Sequence, residues 1–330
     1  MSDLGNYYGS FETAEELEKN GNKLTAALEY WMCTQYAEHG EFPWVPDLSL
    51  ESKAWARYRK ILNKLPYSPL SKTTFIKGCQ CLKTLWLYKN KYDKRYVSPE
   101  VEQKLHLGHH MGKLAQQLFE HGVDASTFPD LQHRLHILQG KTPLQVPNIP
   151  FRLKQNLWLE RTQELIDDKT TFIYEAAFSH NCVFSAVDIL HHSEDGFIAY
   201  EVKNATEIRD VFIHDCALQY YVMCHNIDVK DFFLVYTDED YLQTLDTPIE
   251  KLTPENCDLN QLFIRKSVIK EVQALQETVE KELISIKDVL HQKDEPAVAV
   301  GPQCTSPYEC EFKYYCSKTI RPDYPLDLYF

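Results

Sequence analysis

No stretch of this chain approaches the roughly 18 uncharged apolar residues that a membrane-spanning helix needs. Its opening, "MSDLGNYYGSFETAEELEK", lacks a basic region followed by an apolar one. A soluble cytoplasmic protein is the expectation. No internal repeat and no low-complexity segment is found, which speaks against solenoids and repeat arrays. Basic charge is scarce as well. The 35 Lys and Arg residues face 48 Asp and Glu, for a net charge of -13, a balance that taken alone argues against nucleic acid. With no secretion signal, the ten cysteines do not read as a disulfide scaffold, because cytosolic thiols are kept reduced and clustered ones more often bind metal.

What is there is ample material for a core: 330 residues, 44% of them apolar, enough for one large or two modest domains. The charge is uneven. Residues 1 to 66 carry 7 basic and 10 acidic side chains (-3), residues 67 to 165 carry 14 and 8 (+6), and residues 166 to 330 carry 14 and 30 (-16). Within the basic third, "SKTTFIKGCQCLKTLWLYKNKYDKRY" sets Lys72, Lys77, Lys83, Lys89, Lys91, Lys94 and Arg95 among Phe75, Trp86, Tyr88, Tyr92 and Tyr96. Cations for phosphate and rings for base stacking are what a single-strand groove uses. A solvated helix face over core aromatics is the plainer reading of the same residues.

The first 66 residues read as a small helical appendage. "TAEE" at 13 to 16 has a capping-box pattern, "NKLTAALEYWMCTQYAEHG" has helical spacing up to Gly40, and "ESKAWARYRKILNKL" follows a Pro-rich loop. Residues 67 to 330 read as a second domain. In it Ser98 caps a helix that Gly122 stops, and 152 to 168 form another helix. The period then becomes that of strands in "TFIYEAAFS", "CVFSAVDIL" and "FIAYEVK", followed by a helix in "RDVFIHDCALQYYVMCHN" and a strand in "DFFLVYT". The class is α/β, in the order helix, three strands, helix, strand. One long helix is expected over roughly 268 to 291, then a loop into a cysteine-rich tail.

The hairpin "DILHHSEDGFIAYEVK" (188 to 203) carries the chemistry. If "SEDG" is its loop and His192 pairs with Phe197, paired positions sum to 389, and Asp188 stands opposite Glu201. Opposed residues point to one face with Cβ atoms about 5 Å apart, and Lys203 projects from that face too. Two adjacent carboxylates repel unless a cation lies between them. Mg²⁺ or Mn²⁺ fits such hard oxygen ligands, can lower the pKa of a bound water and can take phosphate oxygens, with Lys203 assisting. The alternative is an ordinary salt bridge at a sheet edge. In the tail, "CTSPYECEFKYYC" spaces Cys304, Cys310 and Cys316 as C-x5-C-x5-C. Three soft ligands so close suggest a metal, and four are normally needed. The fourth is sought in "GCQC", at Cys81, with Cys79 the alternative. Spacing alone leaves zinc and iron-sulfur open. Cys182, Cys216 and Cys224 read as core residues.

With these elements in place the chain resembles the PD-(D/E)XK nuclease superfamily, whose restriction-endonuclease-like core has that order of elements. It is similar to the RecB-like branch with an iron-sulfur cluster, including the CRISPR-associated four-cysteine exonucleases and a related group of uncharacterised bacterial proteins. The resemblance covers roughly residues 69 to 320 and departs from the branch in two places: Leu82 stands for the proline after Cys81, and Met223 for the tyrosine four after Gln219. It implies Asp188 and Glu201 as metal acids, Lys203 as the catalytic lysine, and Glu175 and Gln219 as accessory residues. It implies a metal-binding histidine at His109 or His110 only in a shifted register, and a [4Fe-4S] cluster on Cys81, Cys304, Cys310 and Cys316. The function it implies is a DNA exonuclease on single-stranded ends. A non-catalytic iron-sulfur protein that kept the fold, and a nuclease directed at RNA, are the competing readings.

Overall fold

The computed structural model describes residues 3–39, 48–128 and 149–319, with side chains from 11–35, 52–128 and 149–319. Gly40, the expected helix stop, lies outside them. The N-terminal part forms α1 (Asp3–Lys19), α2 (Lys23–His39) and α3 (Leu48–Leu62). A two-residue strand, β1 (Leu70–Ser71), leads into α4 (Lys72–Gln80), α5 (Leu82–Asn90), α6 (Pro99–Gln116) and β2 (Val123–Asp124). Helix α7 (Phe151–Asp167) precedes β3 (Phe172–His180), β4 (Val183–Ser193), β5 (Gly196–Lys203), α8 (Asp210–Met223) and β6 (Val229–Thr237). The remainder is α9 (Glu239–Gln243), α10 (Leu259–Leu262), β7 (Phe263–Ser267), α11 (Ile269–Ala274), α12 (Gln276–His291) and α13 (Lys313–Ser317).

The chain divides into two units, Met1–Ser68 with Asp124–Asp168, and Pro69–Val123 with Lys169–Phe330. The first is helical. Tyr30 and Trp31 of α2, Tyr58 and Ile61 of α3, and Leu153 and Leu157 of α7 share one buried cluster. This differs from the boundary expected at residue 66. Helix α7, read as the opening helix of the strand unit, joins the helical unit because Leu153 and Leu157 turn into that cluster. Helix α1 runs unbroken through "TAEE", so Thr13 is interior and does not cap.

The second unit is α/β, built on an open mixed sheet of seven strands in the order β2-β3-β4-β5-β6-β7, with β1 beside β4. β3, β4 and β5 form an antiparallel meander, β6 runs parallel to β5, and β7 closes the edge antiparallel to β6. His192 pairs with Phe197 and Ser193 with Gly196, so the tight connection is Glu194–Asp195 and the register sums to 389. Gly196 is required there: its φ is +136°, and a Cβ would stand 2.8 Å from the Asp228 carbonyl. Helix α8 packs on one sheet face together with α4, α11 and α12. On the opposite face α6 buries Met111, Leu114 and Ala115 with Tyr200, Val202 and Val235. The helix expected over 268 to 291 is broken at Leu275 into α11 and α12.

The tail returns to α4 and α5. The Tyr96 amide donates to the Glu311 carbonyl, and the Gln80 amide donates to the Gln303 and Tyr308 carbonyls at 2.6 Å each. The Trp86 indole donates to the Gln292 carbonyl, while Phe312 is buried with Trp86, Leu87 and Val289.

Candidate active site

Extended by one pair beyond Ile189↔Tyr200, the β4–β5 register sets Asp188 opposite Glu201. Between Tyr174↔Ile189 and Ala176↔Val187, the β3–β4 register sets Glu175 opposite Asp188. Three acids therefore run in one row across three strands. Glu175 departs from strand geometry, with φ at 54°, a conformation that L side chains hold only when their surroundings fix it. The Asp188 carboxylate accepts the Val202 backbone N–H at 2.7 Å.

Glu201 is only 1% exposed, and its Oε1 accepts from two ammonium groups, Lys203 and Lys72, at 2.7 Å each. Lys203 also pairs closely with Asp215, and Lys72 lies 4.0 Å from it. Lys72 begins α4, whose N-cap Ser71 forms a capping box with Thr74. Asp215 and Gln219 are one turn apart on α8 and so share a face. Gln219 is fully buried, and both ends of its amide lack a hydrogen-bond partner among the described residues. The same holds for Glu201 Oε2 and Asp215 Oδ1. Lys72 and Asp215 are the two members that sequence reasoning missed. Asp215 left one trace, its i, i+4 spacing from Gln219, whereas Lys72 had been grouped with the basic segment.

These charges are strongly coupled. Burial first, and then Glu201, push the Asp188 carboxyl up to about 8, against the lowering effect of Lys72. Burial acts on Glu201 in the same direction, but Lys203 and Lys72 outweigh it and hold that carboxyl down at about 2. Burial disfavours the charged forms of both lysines, and the facing carboxylates more than restore them. Counting Glu175, Asp188, Glu201 and Asp215 against Lys72 and Lys203, the fully ionised set carries -4 + 2 = -2. One divalent cation would neutralise that excess. The hard oxygen donors and the unpartnered Glu201 Oε2 suit Mg²⁺ or Mn²⁺.

Of the expected histidines, His109 is exposed and His110 half-buried, the His110 Nε2 atom being buried without a hydrogen-bond partner among the described residues. Both lie on the helix whose Met111, Leu114 and Ala115 share a cluster with Tyr200 and Val202. At the mouth of the acid–lysine group stand Tyr308, 43% exposed, and Arg209, whose guanidinium lies 5.8 Å from the Tyr308 ring. Burial pushes the Tyr308 hydroxyl up, Lys203, Arg209 and Lys72 oppose this, and Asp215 adds to the rise.

No disulfide joins any of the ten cysteines. Cys81 is the extended residue between α4 and α5, and the Cys310 amide donates to the Cys304 carbonyl at 2.9 Å. Burial pushes the Cys316 thiol up, Lys83 opposes this, and Cys310, Cys304 and Cys81 add to the rise. Cys81, Cys304 and Cys310 thus lie near enough to Cys316 to act on its charge. Cys79 turns away from them toward His214 and Glu282.

The basic segment does not offer a row of unengaged cations. Lys72 pairs with Glu201, Lys77 with Glu311, Lys83 and Lys91 with Glu295, and Arg95 with Glu311. Lys94 pairs with Asp93 and Lys89 donates to the Leu290 carbonyl. Phe75 and Trp86 are core residues, and Tyr92 is exposed. Compared with known proteins, the chain matches no family model and no curated protein. No helix among the described residues is long and apolar enough to cross a membrane.

Proposed function

We propose that this chain is a divalent-metal-dependent nuclease of the PD-(D/E)XK type, hydrolysing DNA phosphodiesters and acting on single-stranded ends. The observation that carries the reading is the Asp188–Glu201 pair. One of these acids is buried against two lysines, and burial together with the charge of the first pushes the other toward its protonated form. A salt bridge alone needs neither the second acid nor the unpartnered oxygens. Asp188 and Glu201 would hold Mg²⁺ or Mn²⁺, which would supply Lewis acidity at the phosphate and a water of lowered pKa.

The protein's own part is positioning and charge. Lys203, locked between Glu201 and Asp215, holds its ammonium where charge develops on a phosphate oxygen or where a water must be aimed. Lys72 brings a second cation to the same carboxylate. Tyr308 and Arg209 offer a ring and a guanidinium to the nucleotide beside the scissile bond. We infer in addition that Cys81, Cys304, Cys310 and Cys316 hold a [4Fe-4S] cluster. What supports the cluster is the C-x5-C-x5-C spacing of a tail that returns to the α4–α5 junction holding Cys81.

The test is anaerobic purification with iron determination, then incubation of labelled single-stranded DNA, duplex DNA and RNA with Mg²⁺ or Mn²⁺. Cleavage of single-stranded DNA that disappears in Asp188→Ala and Lys203→Ala is expected. Cleavage unchanged in those variants overturns the site, and a colourless protein free of iron overturns the cluster.

A further inference from the structure

A second constellation lies where α4, α8 and α12 meet, apart from both the acid–lysine group and the four thiols. The Cys79 thiol, a nitrogen of His214 and a carboxylate oxygen of Glu282 all lie within 4.8 Å of one another. The His214 Nε2 and Glu282 Oε2 atoms are 2.6 Å apart. Among the described residues this is the one group of three or more Cys, His, Asp or Glu side chains gathered so closely.

Each ligand comes from a different helix, and each helix is held in place by packing. Cys79 follows Gly78, where a Cβ would stand 2.8 Å from the Ile286 side chain of α12, so the absence of a side chain at Gly78 lets Ile286 pack against α4. The Phe75 ring meets His214 edge-on at 5.5 Å. Glu282 borders the buried row Val279, Leu283 and Ile286, and its carboxylate reaches His214 of α8 and Cys79 of α4. All three side chains are half-buried, so an entering ion keeps a path to solvent.

We propose that Cys79, His214 and Glu282 form a zinc site with three protein ligands and one open position. The donor chemistry selects the metal. A thiolate disfavours Mg²⁺ and Ca²⁺, and a mixed sulfur, nitrogen and oxygen set in near-tetrahedral array suits Zn²⁺. Zinc keeps such donors about 3.3 to 3.8 Å apart, from bond lengths of about 2.0 to 2.3 Å. His214 Nε2 and Glu282 Oε2 are joined by a hydrogen bond, and an ion entering between them would replace it. The proposal does not depend on the nuclease reading, and its test uses no activity.

Full-length protein, purified anaerobically and freed of loose metal with a chelator, is loaded with zinc chloride and desalted. Zinc and iron are then counted per chain by mass spectrometry. Wild type is expected to hold one zinc more than Cys79→Ala or Glu282→Gln, with iron equal in all three. Equal zinc in all three overturns the proposal. So does a loss of iron in Cys79→Ala that matches the loss in Cys81→Ala, since Cys79 then serves the four-thiol group. In wild type alone, zinc is expected to slow alkylation of Cys79 at least tenfold, read peptide by peptide, while the exposed Cys182 and Cys224 react as before. An unchanged Cys79 rate overturns the proposal even if the variants fail to fold.

Discussion

Asp188 and Glu201 are the same kind of group, held by their surroundings at opposite ends of the carboxyl range. Asp188→Asn or Lys203→Met is expected to lower kcat on a labelled oligonucleotide by about 10² to 10⁴-fold, the range for losing a positioned charge or proton-transfer group. Asp215→Asn should cost less, about tenfold, because Lys203 keeps its bond to Glu201. Tyr308→Ala should raise KM with little change in kcat, since a stacking contact binds substrate and transition state alike. Asp188 also sets a pH dependence in the chelated protein. Between its ordinary value of 3.8 and about 8, the unfolded chain has released the proton while the folded one retains it. The stability of chelated protein should therefore fall as pH rises through that window. Glu201, held low, acts with the opposite sign, but only between about 2 and its ordinary 4.5. Urea midpoints in chelator at pH 5 and pH 8 check this, and Asp188→Asn should flatten the slope between them.

Among the elements, the close crossing of α4 and α12 invites a direct test. Gly78→Ala drives a methyl into Ile286, itself 1% exposed and unable to swing away. A loss of about 1 to 3 kcal/mol is expected in denaturant melts, as for other overpacked cores. The β3–β4–β5 meander was legible in the sequence, because period-two alternation and the "SEDG" turn together fix a register that a slip of one residue would invert. Asp188 and Glu201 followed from that count alone. Lys72 and Asp215 were not legible, since they reach Glu201 through helix packing, and no local pattern records which helix covers which face. Charge composition misled in a similar way: a run of lysines looks the same whether it faces phosphate or Glu295 and Glu311. The break at Leu275 and the five-residue edge strand β7 carry too little local pattern to be distinguished from their surroundings.

At the scale of the molecule, the proposed cluster would join Cys81 to a tail that starts 304 - 81 = 223 residues later. In a loop-closure estimate, a permanent link over that span restricts the unfolded chain by about 5 kcal/mol. Removing the iron, or replacing Cys81 by Ala, should lower Tm and expose the segment after Gln292 to protease before the sheet opens. The ion pairs of Glu295 and Glu311 with Lys83, Lys91 and Lys77 are expected to hold the tail partly in place at low salt and to release it at high salt.

Helix α4 is nine residues long. It starts at Lys72, whose ammonium touches Glu201, and ends at the residue before Cys81. A rod of about 14 Å therefore has the acid–lysine group at one end and Cys81 at the other. If the four thiols hold the proposed cluster, oxygen that strips its iron would tilt or free the rod and loosen Lys72 from its carboxylate. Exposure to air and loss of cleavage would then be one mechanical event, and the acids themselves would remain chemically intact.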